Sequence, residues 1–344
     1  MLLLLACSSL TPPARVEPSF VEVSLGAFEP GTAEAPLPFS SVASSVPVTV
    51  RTLDAKGELS PFDGDLTVKV RPGQLEGDPI VAITGGEWSG SVSLRNGFGP
   101  TRIWFTDEGD ADETSERVPS WAVGVTPEIW YQLPTIAEVQ ATNNPETNQL
   151  DKEFANFRVD DRQIVVTARE AAGLWVTDTL DAPGSGNSLY VYTFGRPEDE
   201  YFVGARVTLL AGIDQEYLAS TQLSYPTLEA RGETLSVPDP VELVACDDAT
   251  MEGLEGSKIR VSDGAIADTF VVGSEDYTDF ETYGQWPLTS GTCTVYVDSG
   301  GTAPDFWPPD HVGVALPSVE GLIKQVFDKW VLVVVDAADI RITE

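Results

Sequence analysis

One histidine stands in this chain of 344 residues, His311, and that scarcity removes more chemistry than any motif adds. A metal site built on two imidazoles cannot form, and a Ser-His-Asp triad would have to use His311, which sits in the proline-rich loop FWPPDHVGVALP. No GxSxG nucleophile elbow accompanies it, so His311 reads as a solvated loop residue and the chain as non-enzymatic. Cations are scarce too: 20 Lys and Arg face 54 Asp and Glu, a net charge of −34. A surface that negative repels phosphate backbones, so no nucleic-acid partner is expected. Long apolar runs are missing; the opening MLLLLA falls well short of the roughly 20 residues that cross a bilayer. Cysteines number three, Cys7, Cys246 and Cys293.

What is present begins at the first of these cysteines. The run Leu4, Leu5, Ala6, Cys7 resembles the lipobox of bacterial lipoproteins, a short apolar stretch that ends in a small residue and the cysteine to be acylated. The resemblance makes residues 1–7 a signal remnant and lipobox and implies a lipid anchor on Cys7, removal of everything before that cysteine, and a start codon lying further upstream. Ser8 in place of Asp after the cysteine implies sorting to the outer membrane or cell surface of a Gram-negative bacterium. Residues 8–45, rich in Pro, Ser, Ala and Glu and without sustained period, read as a tether, with FVEVSL (20–25) as a strand that could dock on the following domain.

The periodicity beyond is that of strands, which predicts an all-β protein. VPVTVRTL, DLTVKV, GSVSL and TRIWFT alternate apolar and polar residues and are separated by clusters of turn residues, so residues 46–126 read as a β-sandwich. Its inward face would carry Val46, Val48, Val50, Leu66, Val68, Val70, Val92, Leu94, Ile103 and Phe105. FDGDLTVKV followed by LRNGFGPTRIWF resembles the Ig-like modules of bacterial surface proteins. Residues 127–153, with three prolines and an Asn-rich turn, read as a connector.

Two further modules follow, at 154–235 and 236–344. The order GLWVTD, LYVYTF, VGARV, LAGI resembles the OB-fold modules found beside secreted bacterial nuclease domains and in cell-surface lipoproteins. Those nucleases carry their catalytic His and metal-binding acids in a separate domain, to which nothing in this chain corresponds. The pattern recurs: LAGIDQEYLASTQL (210–223) aligns without gaps to VEGLIKQVFDKWVL (319–332), with Gly212 on Gly321, Ile213 on Leu322, Leu218 on Phe327 and Leu223 on Leu332. EGSKIRVSDGAI would open the second barrel and GTCTVYVD would match SLYVYTF.

Three candidate sites remain. Tyr190, Tyr192 and Phe194 share one face of a strand and could stack on sugar rings or single strands, while Leu189, Val191 and Thr193 share the other; the aromatic set could equally pack on a neighbouring domain. Acidic runs at 107–116, with Asp107, Asp110 and Asp112, and at 275–281 could gather oxygens for Ca²⁺, or serve as solvated loops; neither has EF-hand spacing. No other cofactor is expected. With Cys7 acylated, Cys246 and Cys293 are left to pair in an oxidising compartment, a bridge worth about 3 to 4 kcal/mol in the chain-entropy account. The reading is a lipid-anchored binding or scaffolding protein with an unidentified protein or glycan partner; a polysaccharide or peptide receptor and an enzyme with a carboxylate-only site stay open beside it.

Overall fold

The computed structural model describes residues 18–106, 123–141, 150, 152–327 and 329–342. Cys7, Asp107, Asp110 and Asp112 lie outside the described residues. The chain divides into two compact units, Met1–Gln132 and Leu133–Glu344.

The first unit is two antiparallel sheets sharing one apolar core. Its strands are β1 (Phe20–Leu25), β2 (Ser44–Leu53), β3 (Gly64–Arg71), β4 (Gln74–Glu76), β5 (Ile80–Ile83), β6 (Glu87–Arg95), β7 (Gly99–Thr106), β8 (Val123–Val125) and β9 (Ile129–Tyr131). One sheet runs β1-β2-β6-β4 and the other β5-β3-β7-β8, with β9 also on β7. The alternation read from the sequence sets the core: Val46, Val48 and Val50 on β2, Leu66, Val68 and Val70 on β3, Val92 and Leu94 on β6, and Ile103 and Phe105 on β7 are all buried together. Residues 20–25 pair along their whole length with β2, Phe20 opposite Leu53 through Leu25 opposite Val48. Further along, Leu37 bridges Tyr131 and Phe39 is buried, so the Pro- and Ser-rich stretch packs on the sandwich from residue 20 onward.

The second unit holds two closed five-stranded barrels of one design. The first comprises α1 (Ile136–Gln140), β10 (Phe154–Asn156), β11 (Ile164–Arg169), β12 (Gly173–Asp178), β13 (Ser188–Tyr192), β14 (Ala205–Tyr217) and β15 (Ser220–Thr234). Around the barrel the order is β11, β12, β13, β15, β14 and back to β11; only the β13–β15 contact is parallel. The second comprises β16 (Val241–Glu242), α2 (Asp248–Leu254), β17 (Lys258–Ile266), α3 (Glu275–Tyr283), β18 (Gln285–Ser290), β19 (Cys293–Asp298), β20 (Ala315–Val326), β21 (Lys329–Val333) and β22 (Ile340–Arg341). Its order is β17, β18, β19, β21, β20 and back to β17, again parallel only at β19–β21.

The gapless repeat is a repeat of register. Tyr217 pairs with Ser220 as Val326 pairs with Lys329, and Asp214 pairs with Leu223 as Ile323 pairs with Leu332. Both hairpins turn at a residue of positive φ, Leu218 at 56° and Phe327 at 56°, as tight hairpin turns demand. The turns also touch, Phe327 N–H donating to the Leu218 carbonyl at 2.8 Å. Each barrel end is filled from a short helix: Ile136 and Val139 of α1 enter the first core, Met251 and Leu254 of α2 the second. The spacing i, i+3 puts both side chains on one helix face. The first helix starts on a capping box, Thr135 accepting from Glu138 N–H while the Glu138 carboxylate accepts from Thr135 N–H.

Two expectations are corrected. Residues 275–281 are not a loop but the body of α3, where Ser274 caps the first turn, Glu275 and Asp276 face the positive helix end, and Asp276 and Asp279 bind Tyr296 and Lys329. Cys246 and Cys293 form no disulfide: both are free thiols, not at bonding distance, with Cys246 Sγ turned on the Thr292 carbonyl. Burial, and a hydrogen bond to the neighbouring Cys246, push the Cys293 thiol up to about 11. The thiolate is the reactive form, so native Cys293 is expected to resist a maleimide at neutral pH. Both cysteines should label rapidly once the unreduced protein is denatured, which mass spectrometry reads directly; a doubly unlabelled denatured chain would restore the bridge.

Candidate functional site: an aromatic groove on the second unit

A groove of about 500 Å³ lies on the second unit beside β13 and the β14–β15 hairpin. Alternation places Leu189 and Val191 inside the first barrel, which leaves Tyr190 and Tyr192 on its outer face. Phe194 follows in a left-handed conformation, φ 61°, that turns its ring back beside Tyr192 at a centroid distance of 4.5 Å. Phe194 in turn meets Tyr225 at 4.8 Å. The three rings form one continuous row, each pair tilted, at distances typical of favourable aromatic contact.

Tyr225 reaches that row through a bulge. Ser224 pairs with Ile213 and Thr227 with Ala211, so Tyr225 and Pro226 together oppose the single Gly212. Tyr225 has φ 49°, a strained value for an aromatic residue, and the bulge aims its ring outward. Gly212 is required there, because a Cβ would stand 2.8 Å from the Ser224 carbonyl oxygen. Tyr225 is 67 % exposed, Tyr217 54 % and Phe194 53 %, which makes these three the accessible rings. The groove's polar lining consists of Gln215, Gln222, Ser220 and Ser224 from the first barrel, and Lys324 and Gln325 from β20 of the second.

Of the three aromatics singled out by sequence, all line this groove, but they are not equivalent. Tyr190 packs on the fully buried Trp175 at 4.7 Å and, with Leu322 of the second barrel, belongs to the apolar seam between barrels. Its ring also covers Gly173, and burial beside Glu170 holds its phenol well above the ordinary range. Tyr190 is therefore a wall, and Tyr192, Phe194 and Tyr225 the platform. Tyr217 and Tyr225 escaped the sequence reading because one sits at a hairpin tip and the other in a bulge, where strand alternation carries no information. The Tyr-Pro dipeptide inside a strand pattern was the available signal.

Among the described residues carboxylates offer no comparable centre. The most perturbed, Glu255, is raised to about 8, first by burial, with Glu216 and Glu252 adding repulsion against hydrogen bonds from Ser220 and from Thr221 N–H. It is 2 % exposed, enclosed between α2 and the β14–β15 hairpin, and a substrate cannot reach it. Among the described residues no group of three or more His, Cys, Asp and Glu could hold a metal ion. His311 lies flat on Phe306, ring centroids 4.8 Å apart, in a short 3-10 turn. Among the described residues no helix is long and apolar enough to cross a membrane.

A scan against protein-family models, a search of curated proteins and a search of solved structures each return no match to this chain.

Proposed function

We propose that this protein is a non-enzymatic binding module whose groove holds a chain of sugar rings. The observation that carries the reading is the row Tyr192, Phe194, Tyr225, fixed by two left-handed residues and a bulge, with the side-chain amides of Gln215, Gln222 and Gln325 beside it. Flat rings offer their faces to the apolar faces of sugars, and amides supply a donor and an acceptor to adjacent hydroxyls. Nucleic acid is the poorer occupant. Lys324 is the single cation in the groove's lining, and Arg158, Arg162, Arg169, Arg206, Lys258, Arg260 and Lys329 are each paired with an acid, so among the described residues no row of cations follows the groove.

The barrel order, with its single parallel contact between third and fifth strands, supports an OB-type assignment, a fold that binds oligosaccharides as well as oligonucleotides. An Ig-type reading of the first unit belongs to the same proposal: it takes β1-β2-β6-β4 as strands A-B-E-D and β5-β3-β7-β8 as an edge strand followed by C-F-G, against which stands the visit to β4 before β5. Display at the outer membrane or cell surface through a lipid on Cys7 belongs to the same proposal, resting on the Leu4-Leu5-Ala6-Cys7 run.

Affinity electrophoresis of the full chain in gels containing soluble polysaccharides (xylan, mannan, β-glucan, pullulan) tests the reading. Retardation by at least one polymer is expected, reduced about tenfold or more in affinity by Tyr225→Ala and by Phe194→Ala, since a centrally placed ring commonly carries more than 1 kcal/mol. Retardation that both variants retain would remove the groove from the binding site. Single-stranded DNA should give no shift at micromolar protein, and a salt-sensitive shift lost in Tyr225→Ala would replace the glycan with a polynucleotide.

A further inference from the structure

A second cavity in the same unit, of about 580 Å³, shares no lining residue with the groove, and its chemistry is of another kind. It is lined by β11, β12, the start of β13, the start of β17 and the linker 234–239. On β12 the inward positions Leu174 and Val176 fill the barrel, while the outward Thr177 turns to the second barrel. There it joins a chain of four hydroxyls: Ser257 Oγ donates to Ser188 Oγ at 3.2 Å, Ser188 and Thr177 share a bond of 2.8 Å, and Thr177 Oγ1 donates to Thr167 Oγ1 at 3.5 Å. All four residues are buried and all four line the cavity.

Each hydroxyl has one proton and two lone pairs. Three bonds link four hydroxyls when the protons run from Ser257 to Thr167, which leaves the Thr167 proton and several lone pairs for an occupant. Asn187, also lining the cavity and buried, donates from Nδ2 to the Asp178 carbonyl at 2.9 Å, while its Oδ1 accepts from no described group. The charges at the rim are already answered: Lys258 lies between Glu320 and Asp339, and Asp181 binds Arg162. Asp239, exposed on the linker, leaves the rim weakly negative and unfavourable to anions.

We propose that this cavity is a binding site for a small uncharged polyhydroxy compound, a monosaccharide or cyclic polyol, held by the Thr167-Thr177-Ser188-Ser257 hydroxyls. The site offers donors and acceptors in alternation, as a sugar does, and no unpaired cation to hold a carboxylate or phosphate. Its volume lies in the range of small-ligand sites, roughly 300 to 1,000 Å³. It is independent of the aromatic groove and stands whether or not the groove binds glycans.

Saturation-transfer NMR and calorimetric titration of the full chain with glucose, myo-inositol and glucuronate test this. Glucose or myo-inositol is expected to bind with a Kd of about 1 mM or tighter, and glucuronate at least tenfold more weakly. Thr177→Val, which keeps the side-chain shape and removes the hydroxyl, should weaken the neutral ligand about tenfold or more. Ser236→Trp, on the exposed linker at the cavity edge and so without cost to the core, should abolish binding even if the valine variant does not fold. Tyr225→Ala should leave it unchanged. The site is overturned if none of the three compounds binds, if glucuronate binds as well as glucose, if Ser236→Trp retains full affinity, or if Tyr225→Ala removes the signal and places the sugar in the groove.

Discussion

Replacing Glu255 with Gln is expected to make the protein more stable than the native chain above about pH 8 and to change little near pH 5. The carboxyl is enclosed between α2 and the β14–β15 hairpin, its Oε2 accepting from Thr221 N–H at 3.3 Å and its Oε1 from nothing described. Burial, with Glu216 and Glu252 nearby, raises it from 4.5 to about 8. Between those two values the folded chain keeps a proton that the unfolded chain has released. Stability therefore falls as pH rises through that interval and levels off above it. A shift of this size corresponds to a few kcal/mol, on the order of 5, at 1.36 kcal/mol per pH unit. Thermal melting of both proteins from pH 5 to 9 reads the effect; above about pH 6 the ordinary carboxylates no longer titrate. Parallel pH profiles would show that Glu255 reaches water and that the barrels part more easily than their packing indicates.

Gly321→Ala should destabilise the second barrel by about 1 to 3 kcal/mol, and Gly212→Ala the first by a similar or smaller amount. A Cβ on Gly321 would lie 2.5 Å from the Val333 carbonyl oxygen and 2.9 Å from Leu332 Cγ; on Gly212 it would lie 2.8 Å from both the Ser224 oxygen and Leu223 Cγ. These are matching partners in the two hairpins, so the repeat conserves a close approach of strands as well as a pattern of apolar residues. Backbone oxygens in a ladder cannot withdraw without breaking their own hydrogen bonds. Gly232, on the extended end of β15 with nothing within 4 Å of its Cβ position, is the internal control, and Gly232→Ala should be neutral or slightly stabilising. Urea midpoints of the three variants give the comparison. Equal losses at all three positions would overturn the contact account, because the lost flexibility of the unfolded chain acts in the stabilising direction.

The all-β class, the inward faces of β2, β3, β6 and β7, and the duplicated hairpin were legible in the sequence because alternation with a period of 2 is local and each strand reports its own buried face. The repeat was legible for a related reason: a tight turn and a glycine beneath a neighbouring carbonyl constrain residue types at fixed offsets. Harder to see were α1 and α2, because five and seven residues are too few to show a helical period. Even so, Thr135-x-x-Glu138 was a capping signal on the page.

What tertiary structure decided is what meets what. Tyr192 and Phe194 were visible as a pair, but Tyr225 joins them only because a bulge opposite Gly212 rotates one residue out of register. Tyr190 looked identical to its neighbours in the strand and became a wall because Trp175 and the second barrel cover it. Glu255 read as one acid among 54, and its perturbation exists only once α2 is set against the β14–β15 hairpin. Cys246 and Cys293 could be counted from the sequence, whereas the separation of two sulfur atoms depends on where two backbones run. Periodicity reports the face a residue turns inward or outward; the identity of the group across from it is set by pairings distant in the chain, and the groove, the hydroxyl chain and the buried acid are all made of such pairings.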